Sequence, residues 1–275
     1  MFKHILIAHD LSHQADVALR RAAQLANQHQ ARLTLLHVVE TQQSASELAS
    51  LRSSAEQVLG RLASFNHCEA TVRLEQGKPN EVILKLLSEE DVDLLVLGAH
   101  HKNQPELFSG TNLDRLARLS TVPVLLAVNE DGRPYQQAVV AIDFSLCACH
   151  ALQHAYQLLP SSAQLLALNI FATSSRLSKR DSDERLQMQR LQMQRLLIEQ
   201  LMADESSRLP KDGPGLEHEV MPGTLSGTLD DVIAKRRPQL LALGRHNRGI
   251  IAQALLGSLA QHYLNKAPCD VLLVR

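Results

Sequence analysis

Short, nearly unbroken apolar runs alternate along this chain with longer segments whose apolar residues recur at helical spacing. Ile5-Leu-Ile-Ala8, Leu94-Leu-Val-Leu97 and Leu240-Leu-Ala-Leu243 are such runs. They lack the alternation of a half-exposed strand and so predict parallel strands covered on both faces by helices. After Asp10, the residues Ala15, Ala18, Leu19, Ala22, Ala23 and Ala26 fall on one face of a helix. After Val139-Val-Ala-Ile142, the set Ala148, Ala151, Leu152, Ala155 and Leu159 repeats that pattern. Ser12 and Ser145 stand where these helices begin and predict N-caps.

The chain is a tandem duplication, because landmarks recur in the same order in its two halves. Asp10 and Ser12 correspond to Asp143 and Ser145. Ala31-Arg-Leu-Thr-Leu-Leu-His-Val-Val39 corresponds to Ala163-Gln-Leu-Leu-Ala-Leu-Asn-Ile-Phe171, and Val122-Pro-Val-Leu-Leu-Ala-Val128 to Cys269-Asp-Val-Leu-Leu-Val-Arg275. The offset grows from 133 (Asp10 to Asp143) to 147 (Gly110 to Gly257), which places an insertion between Thr173 and Pro214. Within it, Leu177 to Leu209 predicts a mostly solvated helix with a partial apolar stripe of Leu186, Met193, Leu197 and Leu201. The repeat is too short to argue a coiled coil.

Each half reads β-α-β-α-β-α-β-α-β, so the expected class is α/β with two doubly wound, open, parallel five-stranded sheets. The expected boundaries are a first domain over 1–130, a linker over 131–136 and a second domain over 137–275. Each domain is long enough to bury its own core. A formal charge of -1 and a pI near 6.9 supply no field for nucleic acid or anionic lipid. No stretch approaches the roughly 18 apolar residues of a membrane span, and the first strand is too short for a signal sequence. A cytoplasmic location is therefore expected. Cys68, Cys147, Cys149 and Cys269 have no framework spacing, which suits a reducing compartment. Cys147-Ala-Cys149-His150 reads as structural thiols, because residues two apart on a helix diverge. Adjacent His100 and His101 likewise do not converge on one metal ion.

The candidate chemistry sits after the first and fourth strands of each half. Gly98 and Gly244 directly follow an apolar run, and each stretch ends at a helix opening, Gly110-Thr111 or Gly257-Ser258. A glycine turn leading to a helix N-terminus is anion-binding geometry. In a doubly wound sheet, ligands lie beyond the carboxyl ends of the strands where the strand order reverses. A flavodoxin-like order with the first strand central would put Asp10 or Asp143 opposite its own glycine turn. Each aspartate then has two readings, a polar contact to a ligand or a cap for the next helix. No nucleophile elbow and no P-loop lysine can be assembled, so fast hydrolysis is not expected.

These residues resemble the universal stress protein family in its tandem form, a fold of the adenine nucleotide alpha hydrolase-like type. The likeness rests on strand, Asp, Ser and helix, then Gly-x2-Gly-x9-Gly-Ser before a helix and a closing Ala-Pro-Cys-x-Val-Leu-Leu-Val strand. In the second half, Gly244-Arg-His-Asn247, nine residues and Gly257-Ser258 keep the spacing, with Asn247 in place of one glycine. The resemblance implies ATP, or AMP, bound in the second half by Asp143, Ile170, Gly244, Asn247, Gly257 and Ser258, with Mg accompanying ATP. The matching first-half positions are Asp10, Val38, Gly98, His101, Gly110 and Thr111. That loop is one residue shorter and has His101 where the motif has glycine, which makes the second half the expected binder.

Asn enters the left-handed region most readily of the residues with a Cβ, so Asn247 is compatible with the turn. Arg245 and Arg248 flank it and are candidates to neutralise phosphate oxygens, or else are ordinary surface arginines. The resemblance further implies a stress sensor or switch rather than an enzyme, and pairing of the two halves through their last strands, Val122 to Val128 and Val271 to Arg275. Further association into a homodimer is left open. The competing expectation is an interaction scaffold that uses neither pocket.

Overall fold

The computed structural model describes residues 2–39, 53–61, 69–99, 110–171, 181–245 and 256–275. The first repeat runs β1 (His4–Ala8), α1 (His13–His29), β2 (Arg32–Val39), α2 (53–61), β3 (Ala70–Gln76), α3 (Pro79–Glu89), β4 (Leu94–Gly98), α4 (Gly110–Leu119) and β5 (Val124–Ala127). The second runs β6 (Gln137–Ala141), α5 (Leu146–Leu158), β7 (Gln164–Phe171), α6 (Asp181–Arg208), β8 (Gly215–Pro222), α7 (Leu225–Arg236), β9 (Leu240–Gly244), α8 (Ser258–Asn265) and β10 (Asp270–Val274). The strand and helix alternation expected of each half is present. No helix among the described residues is long and apolar enough to cross a membrane.

The chain divides into two compact units. The first contains residues 1–134 together with 247–273. Its first-repeat strands lie in the order β3-β2-β1-β4-β5, all parallel. This is a Rossmann-type order rather than a flavodoxin-like one. The first strand is central in either case, and the chain reverses direction between β1 and β4, so the loops after those two strands emerge side by side. All five residues of β1 are buried, as are the predicted helix positions Ala15, Ala18, Leu19, Ala22, Ala23 and Ala26. Burying that stripe against the sheet is what makes α1 a helix here despite its polar outer face.

The first unit also takes up β10, which pairs antiparallel with β5 through Val271 to Leu126, Leu272 to Leu125 and Leu273 to Val124. The edge of β5 is thereby covered. A buried ion pair secures this arrangement. Arg21 on α1 donates from Nε to Asp270 Oδ2 at 3.0 Å, and both side chains are buried. Arg21 donates further to the Arg133 and Asp131 carbonyls, while Asp270 Oδ1 accepts the amides of Val128 and Asn129. Each charge is thus surrounded by partners, the condition under which a buried pair is tolerated.

In the second unit, residues 135–246, β6 pairs with β7 and β9, and β7 with β8, all parallel. Ala148, Ala151, Leu152, Ala155 and Leu159 are buried as their spacing predicted. The insertion falls in the segment that holds the 28-residue α6, which stands where α2 stands in the first repeat and packs on β7 and β8. Its inward face is not the stripe read from sequence. Met193 and Leu197 are exposed, whereas Ile198, Met202 and Glu205 are buried. Those three lie at i, i+4 and i+7, a face that includes a carboxylate and so escapes a search for apolar periodicity.

Candidate functional site

The turn between β1 and α1 is built the same way in both repeats. Asp10 Oδ1 accepts the Ser12 amide at 3.0 Å, and Asp143 Oδ1 accepts the Ser145 amide at 3.1 Å and its hydroxyl at 2.6 Å. Ser12 Oγ then accepts the Ala15 amide, and Ser145 Oγ the Ala148 amide, each at 3.2 Å, so both serines are the N-caps expected of them. The residue between aspartate and serine is left-handed in both, Leu11 at φ 66° and Phe144 at φ 64°. A bulky side chain there costs of order 1–3 kcal/mol, and such strain clusters at ligand sites. Both residues are also exposed, Leu11 at 44% and Phe144 at 41%.

Opposite this turn stands the glycine that ends the fourth strand. A Cβ on Gly98 would lie 2.5 Å from the Gln14 carbonyl oxygen, and one on Gly244 would lie 2.7 Å from the Ala148 nitrogen. Gln14 and Ala15 hold in α1 the places that Cys147 and Ala148 hold in α5. Both glycines are therefore required by the close approach of a helix's first turn, independently of any phosphate. Gly77 and Gly223, at φ 146° and 153°, are a second matched pair, and there the backbone conformation itself demands glycine.

In the first unit, these parts frame a cleft lined by Ala8, Asp10, Ser12, Ala15, Leu97, Gly98, Ala99 and Leu113. It encloses about 350 Å3 of empty space, part of it open to solvent. Asp10 and Gly98, expected to share a site, are brought together. Val38 is buried in β2 and is not among the lining residues. Gly110 opens α4 as expected. His101 and the side chain of Thr111 lie outside the described residues.

In the second unit, Asp143 is exposed, Ile170 is half-buried near the end of β7, and the half-buried Arg245 donates its amide to the Val274 carbonyl. Gly257 is the N-cap of α8 and Ser258 its first residue, and both fall within the first unit. Asn247 and Arg248 lie outside the described residues.

Sequence reasoning missed one residue of the first-repeat turn. His9 is fully buried, and its Nδ1 accepts the Leu11 amide at 3.0 Å. That leaves the proton on Nε2, which donates to Asp16 Oδ1 at 3.1 Å. His37 Nδ1 donates to the His9 carbonyl at 2.7 Å. Burial pulls the His9 pKa below its ordinary 6.5 against the opposing pull of Asp16. His4, whose Nδ1 accepts from Arg32 and whose Nε2 donates to Thr34, is lowered too, by burial and by Arg32. A histidine at the end of an otherwise apolar strand was the available signal.

Comparison with known proteins places the chain. The model of the universal stress protein family matches it twice, over residues 1–127 and 134–275. The chain belongs to that family, in a tandem form. A putative universal stress protein of Staphylococcus haemolyticus is 30% identical over 160 residues, 52% of this chain and 95% of the relative. A universal stress protein of Methanocaldococcus jannaschii is 26% identical over 159 residues, 48% of this chain and 98% of its own length. Across nearly the whole fold, a universal stress protein from Archaeoglobus fulgidus covers 99% of this chain and 98% of its own, with a TM-score of 0.69 at 17% identity.

Proposed function

We propose that this chain is a stress-response protein that binds an adenine nucleotide, ATP before AMP and with Mg accompanying ATP, and that it acts as a sensor or switch. It is not an enzyme beyond very slow ATP hydrolysis, and it works in the cytoplasm. The observation that carries this reading is the strained aspartate turn facing a close-packed glycine, built alike in both repeats. Strain kept twice in a duplicated frame points to a ligand rather than to packing. The glycine motif ending at Gly257 and Ser258, with Asn247 for one glycine and Arg245 and Arg248 beside it, supports the second repeat as the main binder. Support for the first repeat is its cleft, which brings Asp10, Ser12 and Gly98 together at the ends of β1 and β4.

The test is nucleotide analysis of the purified chain, followed by calorimetric titration of the stripped protein with Mg-ATP. One equivalent lost in Asp143→Ala supports the second repeat, and one lost in Asp10→Ala supports the first. Absence of bound nucleotide and of heat at millimolar ATP overturns the reading. The second reading, an interaction scaffold, is favoured by the exposed Met188, Met193, Leu196 and Leu197 along α6.

A further inference from the structure

The turns of the two repeats match in aspartate, serine and left-handed residue, but only the first has a side chain beneath it that accepts the central amide. Leu11 N–H points at His9 Nδ1, whereas Ile142 occupies the same place beneath Phe144 and has no acceptor to offer. We infer that His9 is the positioning residue of the Asp10-Leu11-Ser12 turn, holding it only while the imidazole is neutral, so that acidification loosens the first-repeat cleft and not its counterpart in the second repeat. The consequence for a ligand rests on the nucleotide reading; the positioning role does not.

The chemistry follows from which nitrogen carries hydrogen. In the neutral ring, Nδ1 accepts from Leu11 and Nε2 donates to Asp16, so both nitrogens are satisfied. Adding a proton places a hydrogen on Nδ1, and two donors then face each other across a 3.0 Å gap. The backbone that carries the ring is fixed, because the His9 amide donates to the Leu36 carbonyl and the His9 carbonyl accepts from His37, and the ring itself is fully buried and tied through Nε2 to Asp16. Turning the ring away would break the Asp16 bond inside a packed interior, whereas Leu11 lies in an exposed turn, so it is the Leu11 amide that moves. The groups that act on His9 are Asp16 from α1, Asp10 from its own turn and His37 from β2; the two carboxylates favour the charged ring, while His37 and burial oppose it. Phe144 reaches φ 64° without such a bond, so the histidine steadies the turn rather than creating it.

The experiment is a pH titration of the ligand-free full chain by heteronuclear NMR, following the His9 ring nitrogens together with the Leu11 and Phe144 amides. The expected result is a Leu11 amide that shifts and exchanges faster with the midpoint of His9, below the usual histidine range, while Phe144 stays level. His9→Ile, which installs the second repeat's residue, should give an unprotected Leu11 amide at every pH. His9→Asn, whose carbonyl oxygen stands near the Nδ1 position, should restore protection and remove the pH dependence. Mg-ATP titration of the first-repeat cleft should then weaken roughly tenfold on protonation in the wild type and stay level in His9→Asn. A Leu11 amide indifferent to the His9 titration, or a His9→Asn chain that titrates like the wild type, overturns the positioning role. A Leu11 amide that follows His9 in a chain that binds no ATP upholds that role and overturns the nucleotide reading.

Discussion

The two repeats share a frame and differ in what fills it. Four backbone features are present twice: the capped helix, the left-handed residue after aspartate, the glycine under the helix's first turn and the positive-φ glycine after the third strand. The interior beside that frame is not repeated. His4, His9, Thr34 and His37 of the first repeat stand where the second has Gln137, Ile142, Leu166 and Asn169. One bond survives the change, since Asn169 donates to the Ile142 carbonyl at 2.7 Å as His37 does to that of His9. Backbone requirements have been kept while titratable side chains were free to diverge.

A third pattern is reversal. Arg73 on β3 pairs with Glu90 after α3, and at the matching positions Glu219 on β8 pairs with Arg236 at the end of α7. The strand-to-helix ion pair is present in both repeats with its signs exchanged. The requirement there is for opposite charge and not for a particular residue.

The largest effect should come from the feature with no counterpart. Asp270 occupies the place that Pro123 holds in the first repeat, and Asp270→Ala leaves Arg21 buried and uncompensated. A loss of about 3–5 kcal/mol is expected in urea unfolding, and a loss under 1 kcal/mol would remove the pair from any account of stability. Next come Gly98→Ala and Gly244→Ala. Each forces a Cβ against helix backbone and should cost about 1–3 kcal/mol. Near-equal shifts in thermal midpoint would confirm the shared frame, and a shift at Gly98 alone would break it.

Acidification should separate the repeats. His4 and His9 are both held below 6.5 when folded, so the unfolded chain binds protons more readily and stability falls as pH drops through 6.5 toward the depressed folded values. Amide exchange should therefore rise first in β1 and β2, and the double variant His4→Gln, His9→Ile should flatten that dependence. The smallest effect belongs to the exchanged ion pair. Arg73→Glu should cost about 0–1 kcal/mol and Glu90→Arg in the same chain should restore it, as read by a double-mutant cycle.

Much of the frame was legible in sequence because it rests on local rules. The apolar runs became buried strands, and Ser12 and Ser145 became caps, since period and capping are decided within a few residues. Gly98 was legible as a special position but not for its reason, because the atoms that exclude a Cβ belong to a helix more than eighty residues earlier in the chain. Leu11 and Phe144 carry no sign of a left-handed conformation, which leucine and phenylalanine ordinarily avoid. The buried face of α6 was concealed by Glu205, whose carboxylate is made tolerable by Gln153 and Arg208. No local rule could join Arg21 to Asp270, which stand 249 positions apart.

That separation has a consequence for how the protein is made. During synthesis, Arg21 waits in a nascent helix until Asp270, 249 positions later, has been made, and until then β5 lacks its covering strand. A segment made early is thus completed only by one made much later. Expressed alone, the first 134 residues would carry an open strand edge and a guanidinium deprived of its carboxylate. Gene fusion here has gone beyond tethering, since a strand of one copy covers an edge of the other and its aspartate neutralises a buried arginine there.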